Sequence, residues 1–309
     1  MTVVAVGTGA ATVGLQVGCL AIVALYVGLR LRREPQRAVF VQRFVLLMVS
    51  SWIAEDTCIR LYGFYAYDPS WWGFIDRVPV LIVAIWPVVI HSAFDLAQAM
   101  AMGRAAGAPG AGGADVSAGR RRVALVGALI VLTDAALIEP IAVRVGLWQW
   151  SEPGLFAVPP IGVLGWAMFT WLAMGVFADE GRRVGRWNVR AWWVLVVAPV
   201  GVHLMLLAAW WGLFRHVNGT VDEVVGVVVA GVVASGLVVR MLWSKRGVVD
   251  AAVVMMRGPG AGFFFVLLVL HALDDAWLTA YAVCFAVPWV VLVVRSLRAR
   301  GAGSGLHDR

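Results

Sequence analysis

Predominantly apolar runs of about twenty residues recur along the chain, and a run of that length is long enough to cross a bilayer as a helix. They fall at Val3–Leu29, Val39–Leu61, Val78–Met100, Val123–Val145, Ile161–Phe177, Ala191–Leu213 and Val221–Leu242. Hydrophobic residues make up 61 % of the 309 and charged residues only 14 %, too few to coat a water-soluble globule. Irregular backbone would leave its polar groups unpaired in hydrocarbon. The expected fold is therefore all-α: one polytopic integral membrane helix bundle over residues 1–309, with about eight (seven to nine) transmembrane helices. The first run has no basic segment ahead of it and reads as a retained helix, not a signal peptide. The last stretch, Ala261–Val294, is too long for one crossing and short for two. A hairpin of two short helices breaking near Asp274 is expected there, with a total of eight spans as the competing count. Residues 103–122 read as a flexible Gly/Ala-rich cytoplasmic loop and 301–309 as a disordered tail.

The net charge of +7 rests on 24 Arg and one Lys, and their distribution sets orientation. Alternate loops carry 17 basic residues on one side, Arg257 in the loop 240–257 among them, and four on the other, Arg60, Arg77, Arg144 and Arg215. The positive-inside rule makes the first side cytoplasmic and the amino terminus external, in a multi-pass protein of the cell membrane. Basic loops of this kind meet membrane lipids, not nucleic acid. Tyr62–Arg77, rich in Tyr and Trp, forms an aromatic hairpin at the outer interface. Cys19, Cys58 and Cys284 are too scattered for a disulfide framework or a zinc site.

Seven of the 18 carboxylates lie inside expected spans: Glu55, Asp56, Asp95, Asp134, Glu139, Asp274 and Asp275. An ionisable group at the bilayer centre costs about 2.5–3.5 kcal/mol, and no Lys or Arg is expected at their depth. They form the first candidate site. Glu55, Asp134 and Glu139 are the candidate catalytic acids. His91 and Asp95, four apart on one helix face, form a candidate proton relay with Asp274 and Asp275, and His203 and His271 also lie near span centres. The plain alternatives are a structural His91–Asp95 pair, a satisfied interior His203, and a polar turn at Asp274–Asp275.

Five histidines are too few for a membrane di-iron site, and the lone Asp274–Asp275 pair does not supply the two Asp-rich motifs of a prenyl transferase. No Walker loop, Gly-x-Ser-x-Gly element or dinucleotide fingerprint is present. No metal and no cofactor are expected; acid chemistry remains. A carboxylic acid in an apolar pocket stays protonated at neutral pH because burial disfavours the charged form. Such an acid can protonate a trisubstituted alkene, and a second carboxylate or aromatic faces can stabilise the cation. Water capture then gives an alcohol, internal alkene attack a ring, and proton loss an isomer.

The two halves around the 103–122 loop share a pattern: a helix bearing an acid, an aromatic loop with Pro, then another helix. Glu55, the hairpin and Pro79 form one copy; Asp134, Glu139, Trp148, Trp150 and Pro159 form the other. An internal duplication is one reading of this pattern; a chance recurrence is the other. Asp134, Glu139–Pro140, Trp148–Gln149–Trp150, Pro159 and Gly165–Trp166 resemble, in order, the signature of the membrane carotenoid biosynthesis family that includes carotenoid 1,2-hydratases and bisanhydrobacterioruberin hydratase. Glu55, Gly63–Phe64–Tyr65–Ala66–Tyr67, Val78–Pro79 and Trp86 are similar to its earlier landmarks. Glu139–Pro140 replaces the family's usual Asp-Pro, and Gly162 stands where it tends to carry Asn. The resemblance implies a carotenoid hydratase of the hydro-lyase type acting without a cofactor on a lipid-soluble carotenoid or isoprenoid. One of Asp134 and Glu139 would donate the proton, and the other or Glu55 would stabilise the cation. Tyr65, Trp86, Trp148, Trp150 and Trp166 would line the polyene end. An isoprenoid cyclase sharing the protonation step, a proton-coupled transporter using His91, Asp95 and Asp134, and a structural membrane partner are the alternatives.

Overall fold

The computed structural model describes residues 10–105, 113–178, 188–243, 249 and 251–304. Among these, eight helices are long and apolar enough to cross a membrane, which makes the chain a multi-pass all-α membrane protein. In order they are α1 (Ala10–Arg33), α2 (Arg37–Tyr62), α3 (Val80–Ala105), α4 (Gly113–Arg144), α5 (Pro160–Ala178), α6 (Val194–Ala209), α8 (Glu223–Trp243) and α11 (Ala276–Ser304). A 3-10 turn, Val189–Trp193, leads into α6; a π-turn, Trp210–Phe214, and the single turn α7 (Arg215–Val217) prolong it. Two shorter helices, α9 (Ala251–Met255) and α10 (Gly258–His271), follow α8.

The last stretch does break near Asp274, but unequally. The 14-residue α10 spans about 21 Å, whereas α11 is a full-length helix of 29 residues. The loop expected at 103–122 is narrower than that range, since α3 continues to Ala105 and α4 begins at Gly113; residues 106–112 lie outside the described residues. Likewise α11 continues to Ser304, and 305–309 lie outside.

The bundle is apolar on both sides, as a bilayer requires: Leu47, Ile90, Ile141 and Met174 are buried, while Val228, Val229, Val232 and Val233 of α8 face outward. With no hydrophobic drive to separate core from lipid, polar contacts fix neighbours. Gln42 of α2 donates to the Asn188 carbonyl (3.0 Å) and accepts from its N–H (2.9 Å), and Ser50 Oγ donates to Val194 O (2.9 Å). These bonds set α2 against α6.

The expected hairpin between α2 and α3 is not a local one. Gly63 (φ 63°) caps α2 in the left-handed region, which glycine enters without a Cβ penalty, and Gly146 (φ 78°) follows α4 at the corresponding place. Beyond them β1 (Tyr65–Tyr67) pairs antiparallel with β4 (Trp148–Trp150), Ala66 opposite Gln149. The flanking bonds match: Asp68 N–H to Leu147 O (3.0 Å) and Ser151 N–H to Phe64 O (2.8 Å). Next come two tight bridges, Ile75–Val78 between β2 (Phe74–Ile75) and β3 (Val78–Pro79), and Leu155–Val158. Asp76 (φ 57°) and Phe156 (φ 51°) turn them. Two copies of one helix–strand–helix unit thus face each other about an approximate two-fold centred on Ala66 and Gln149.

Candidate active site

The two-fold brings one acid from each copy to the same cavity. Glu55 on α2 and Glu139 on α4 lie roughly 10 Å and 8 Å from the C-terminal ends of their helices, and both border a cavity of about 260 Å³ that extends along the bundle to Leu29 of α1 and Met255 of α9. They are 8 % and 2 % exposed. Among the described residues no cation pairs with either; indoles and a phenol supply their donors.

Glu139 accepts three indole N–H bonds: Trp148 (2.7 Å) and Trp150 (3.0 Å) on Oε2, and Trp166 (2.7 Å) on Oε1. Period-two alternation along β4 puts Trp148 and Trp150 on one face, and α5 supplies Trp166. Glu55 accepts from Trp86 Nε1 of α3 on Oε1 and from the Tyr67 hydroxyl of β1 on Oε2. The two donor sets touch. Trp86 and Trp166 have ring centroids 4.4 Å apart, Tyr67 meets Trp148 edge-on at 5.8 Å, and Tyr65 meets Trp150 at 4.7 Å. Burial, with Glu55 close by, holds the Tyr65 and Tyr67 phenols well above the ordinary tyrosine range, so both stay neutral.

Gly162, the departure from the family pattern, has a packing reason. A Cβ there would lie 2.6 Å from the Trp150 ring, so the absent side chain is what lets the indole lie over α5 and reach Glu139.

The expectation that no basic residue reaches the depth of the acids is overturned. Asp134 is ion-paired with Arg257, whose side chain is only 5 % exposed; Arg257, assigned from sequence to a cytoplasmic loop, lies buried between α9 and α10. Asp95 pairs with Arg30 (3.2 Å) and Asp56 with Arg60 (2.8 Å). Arg144 holds Asp274 (2.8 Å) and Asp275 (3.7 Å). These two occupy the α10–α11 turn, and the Asp274 side chain is 72 % exposed. Their turn follows the end of α10, and neither borders the cavity. His91 packs against the Phe40 and Phe44 rings (5.3 and 6.4 Å), and neither it nor Asp95 borders the cavity. The i+4 spacing placed them on one face, but that face meets α2 and the end of α1.

Of the residues singled out from sequence, Glu55, Glu139, Tyr65, Trp86, Trp148, Trp150 and Trp166 converge, and Asp134 borders the same cavity further in. Tyr67, the phenol that reaches Glu55, is a functional candidate that sequence reasoning passed over in favour of Tyr65; the alternation of β1 was the available signal. His203 also borders the cavity, with Nε2 2.6 Å from Thr57 Oγ1. When Thr57 directs its own proton to the Ile53 carbonyl (2.5 Å), His203 Nε2 is the donor and Nδ1 an acceptor. Among the described residues no three His, Cys, Asp or Glu side chains are arranged to hold a metal ion.

The family model for carotenoid biosynthesis proteins matches residues 11–237, which takes in both copies of the duplicated unit, both acids and every donor to them. The chain belongs to the carotenoid biosynthesis protein family. No curated protein and no solved structure matches it. A role in carotenoid biosynthesis accounts for a cavity walled by indoles within an apolar bundle, since such substrates dissolve in the bilayer. The matched residues end within α8, so α9, α10, α11 and Arg257 lie beyond them.

Proposed function

We propose that the protein is a cofactor-independent hydratase of the cell membrane, adding water across a terminal double bond of a carotenoid. The observation that carries this reading is the inequality of the donor sets on the two buried acids. An indole N–H can only donate. Three of them on Glu139 occupy both oxygens and suit an ionised carboxylate. Glu55 has one indole and one phenol, and a phenol hydroxyl can turn to accept. Glu55 is therefore the acid that carries a proton, with Tyr67 as its partner, and Glu139 is the carboxylate.

The chemistry balances on these two groups. Glu55 gives its proton to the less substituted alkene carbon; the π pair forms the new C–H bond and leaves a tertiary carbocation. The Glu139 charge and the faces of Trp86 and Trp166 stabilise that cation. Water attacks the tertiary carbon through an oxygen lone pair and passes its surplus proton to Glu139. The sum is alkene plus water to tertiary alcohol, and one proton returning from Glu139 to Glu55 restores the site. Asp134, committed to Arg257, is not the donor.

Expression in a lycopene-producing bacterium tests this directly. The expected pigment is heavier by one water with the native chain and unchanged with Glu55→Gln or Glu139→Gln. A pigment of unchanged mass but altered retention would instead mark cyclisation, and no new pigment would remove the enzymatic reading; either result overturns hydration.

A further inference from the structure

The cavity that holds the acid pair has a second polar station at its inner end. Arg257, 8 % exposed, donates from Nη1 to Ser92 Oγ (2.8 Å) and the Val89 carbonyl (3.3 Å) and from Nη2 to Asp134, and its guanidinium lies over the Trp289 ring (5.5 Å). Among the described residues its Nε has no hydrogen-bond partner, and neither has the hydroxyl of Tyr26, which is 3 % exposed. Both residues border the cavity. Each buried donor without an acceptor costs about 1–3 kcal/mol, so an acceptor that a ligand brings to either donor is stabilised there. Asp134 already balances the charge of Arg257, and a carboxylate or phosphate would be left without a countercharge. The fitting acceptor is a neutral oxygen. Met255, Met256 and Phe264 add apolar wall around it.

Helix rise gives the separation of the two stations. Asp134 and Glu139 are five residues apart on α4, and Trp86 and Ser92 six apart on α3, which is about 8–9 Å along the bundle axis. We propose that the inner station binds an uncharged hydroxyl or keto oxygen on the isoprenoid chain, so that the preferred substrate is already oxygenated some 8–9 Å or more from the alkene presented to the acid pair. This rests on the carotenoid reading for the skeleton of the substrate, but not on hydration.

Binding can be measured apart from turnover with the full chain in nanodiscs, using tritiated geranylgeraniol and the tritiated deoxy hydrocarbon of the same skeleton and subtracting empty nanodiscs. Hydrogen bonds from the guanidinium Nε and the phenol predict about tenfold tighter binding of the alcohol. Tyr26→Phe should cut that preference to about threefold. Arg257→Lys, which keeps a cation beside Asp134 but has no Nε donor, should do the same. Glu55→Gln should keep the preference while abolishing any hydrated pigment, so failure of the hydratase reading and failure of this one are separate results. Equal binding of the two probes by the native chain, or a preference unchanged in both variants, would overturn the proposal.

Discussion

Replacing the pair Asp134–Arg257 separates a structural acid from a catalytic one. Asp134→Leu alone leaves the Arg257 cation, its side chain 5 % exposed, buried without a countercharge. Breaking such a pair from one side costs about 3–5 kcal/mol, whereas replacing both partners by apolar residues of similar volume is neutral or stabilising. The surroundings tolerate the double change: Ser92 Oγ also donates to the Val89 carbonyl (3.1 Å), so loss of Arg257 strands neither group. Thermal unfolding of purified protein should fall by roughly 6–20 °C for Asp134→Leu, at about 2–4 °C per kcal/mol. Asp134→Leu combined with Arg257→Met should return to within a few degrees of the native midpoint. With stability restored, conversion of lycopene, which has no oxygen for the inner station, should return to within about threefold of native, a difference smaller than 1.4 kcal/mol. If the double variant is as stable as the native chain yet makes no product, Asp134 takes part in the chemistry and the assignment to Glu55 and Glu139 is wrong.

Tyr67→Phe removes the one reversible partner of Glu55; a hydrogen bond to an ionisable group is worth about 1.5–3 kcal/mol, so turnover should drop about 10- to 100-fold with the fold intact. Gly162→Ala sets a methyl 2.6 Å from the Trp150 ring and should depress turnover similarly, whereas adding it to Trp150→Phe should cost little more, a coupling that a double-mutant cycle reads. His91→Phe should leave product formation unchanged, since His91 does not border the cavity. Asp274→Ala should change stability by no more than about 1 kcal/mol and activity not at all, as expected for an exposed ion pair.

Much of the architecture was legible because its signals are local. Apolar runs long enough to cross a bilayer located seven of the eight crossing helices, α11 being the one expected as half of a short hairpin, and the recurrence of acid, aromatic loop and Pro in both halves anticipated the facing units. Glu55 and Glu139 stood out as acids in apolar sequence, and β4 carried its two Trp at strand spacing. What failed was inference about partners. Arg257 follows a basic stretch and reads as loop; only the chain's return through α9 into the short α10 carries it to Asp134. Arg30 reaches Asp95 across 65 residues, and Arg144 reaches Asp274 across 130, separations at which sequence holds no contact signal. Asp134 and Glu139 therefore looked equivalent in sequence and differ in space by one guanidinium and three indoles. Gly162 belongs to the same class, because its value lies in a ring supplied by another loop.

Heavy-oxygen water tests the central claim, that Glu55 and Glu139 together add water to a terminal alkene. Purified protein in nanodiscs, given lycopene in heavy-oxygen water, should form an alcohol carrying the heavy oxygen at its tertiary carbon, and Glu55→Gln and Glu139→Gln should each form none. Product without the label, or labelled product from both variants, would contradict it.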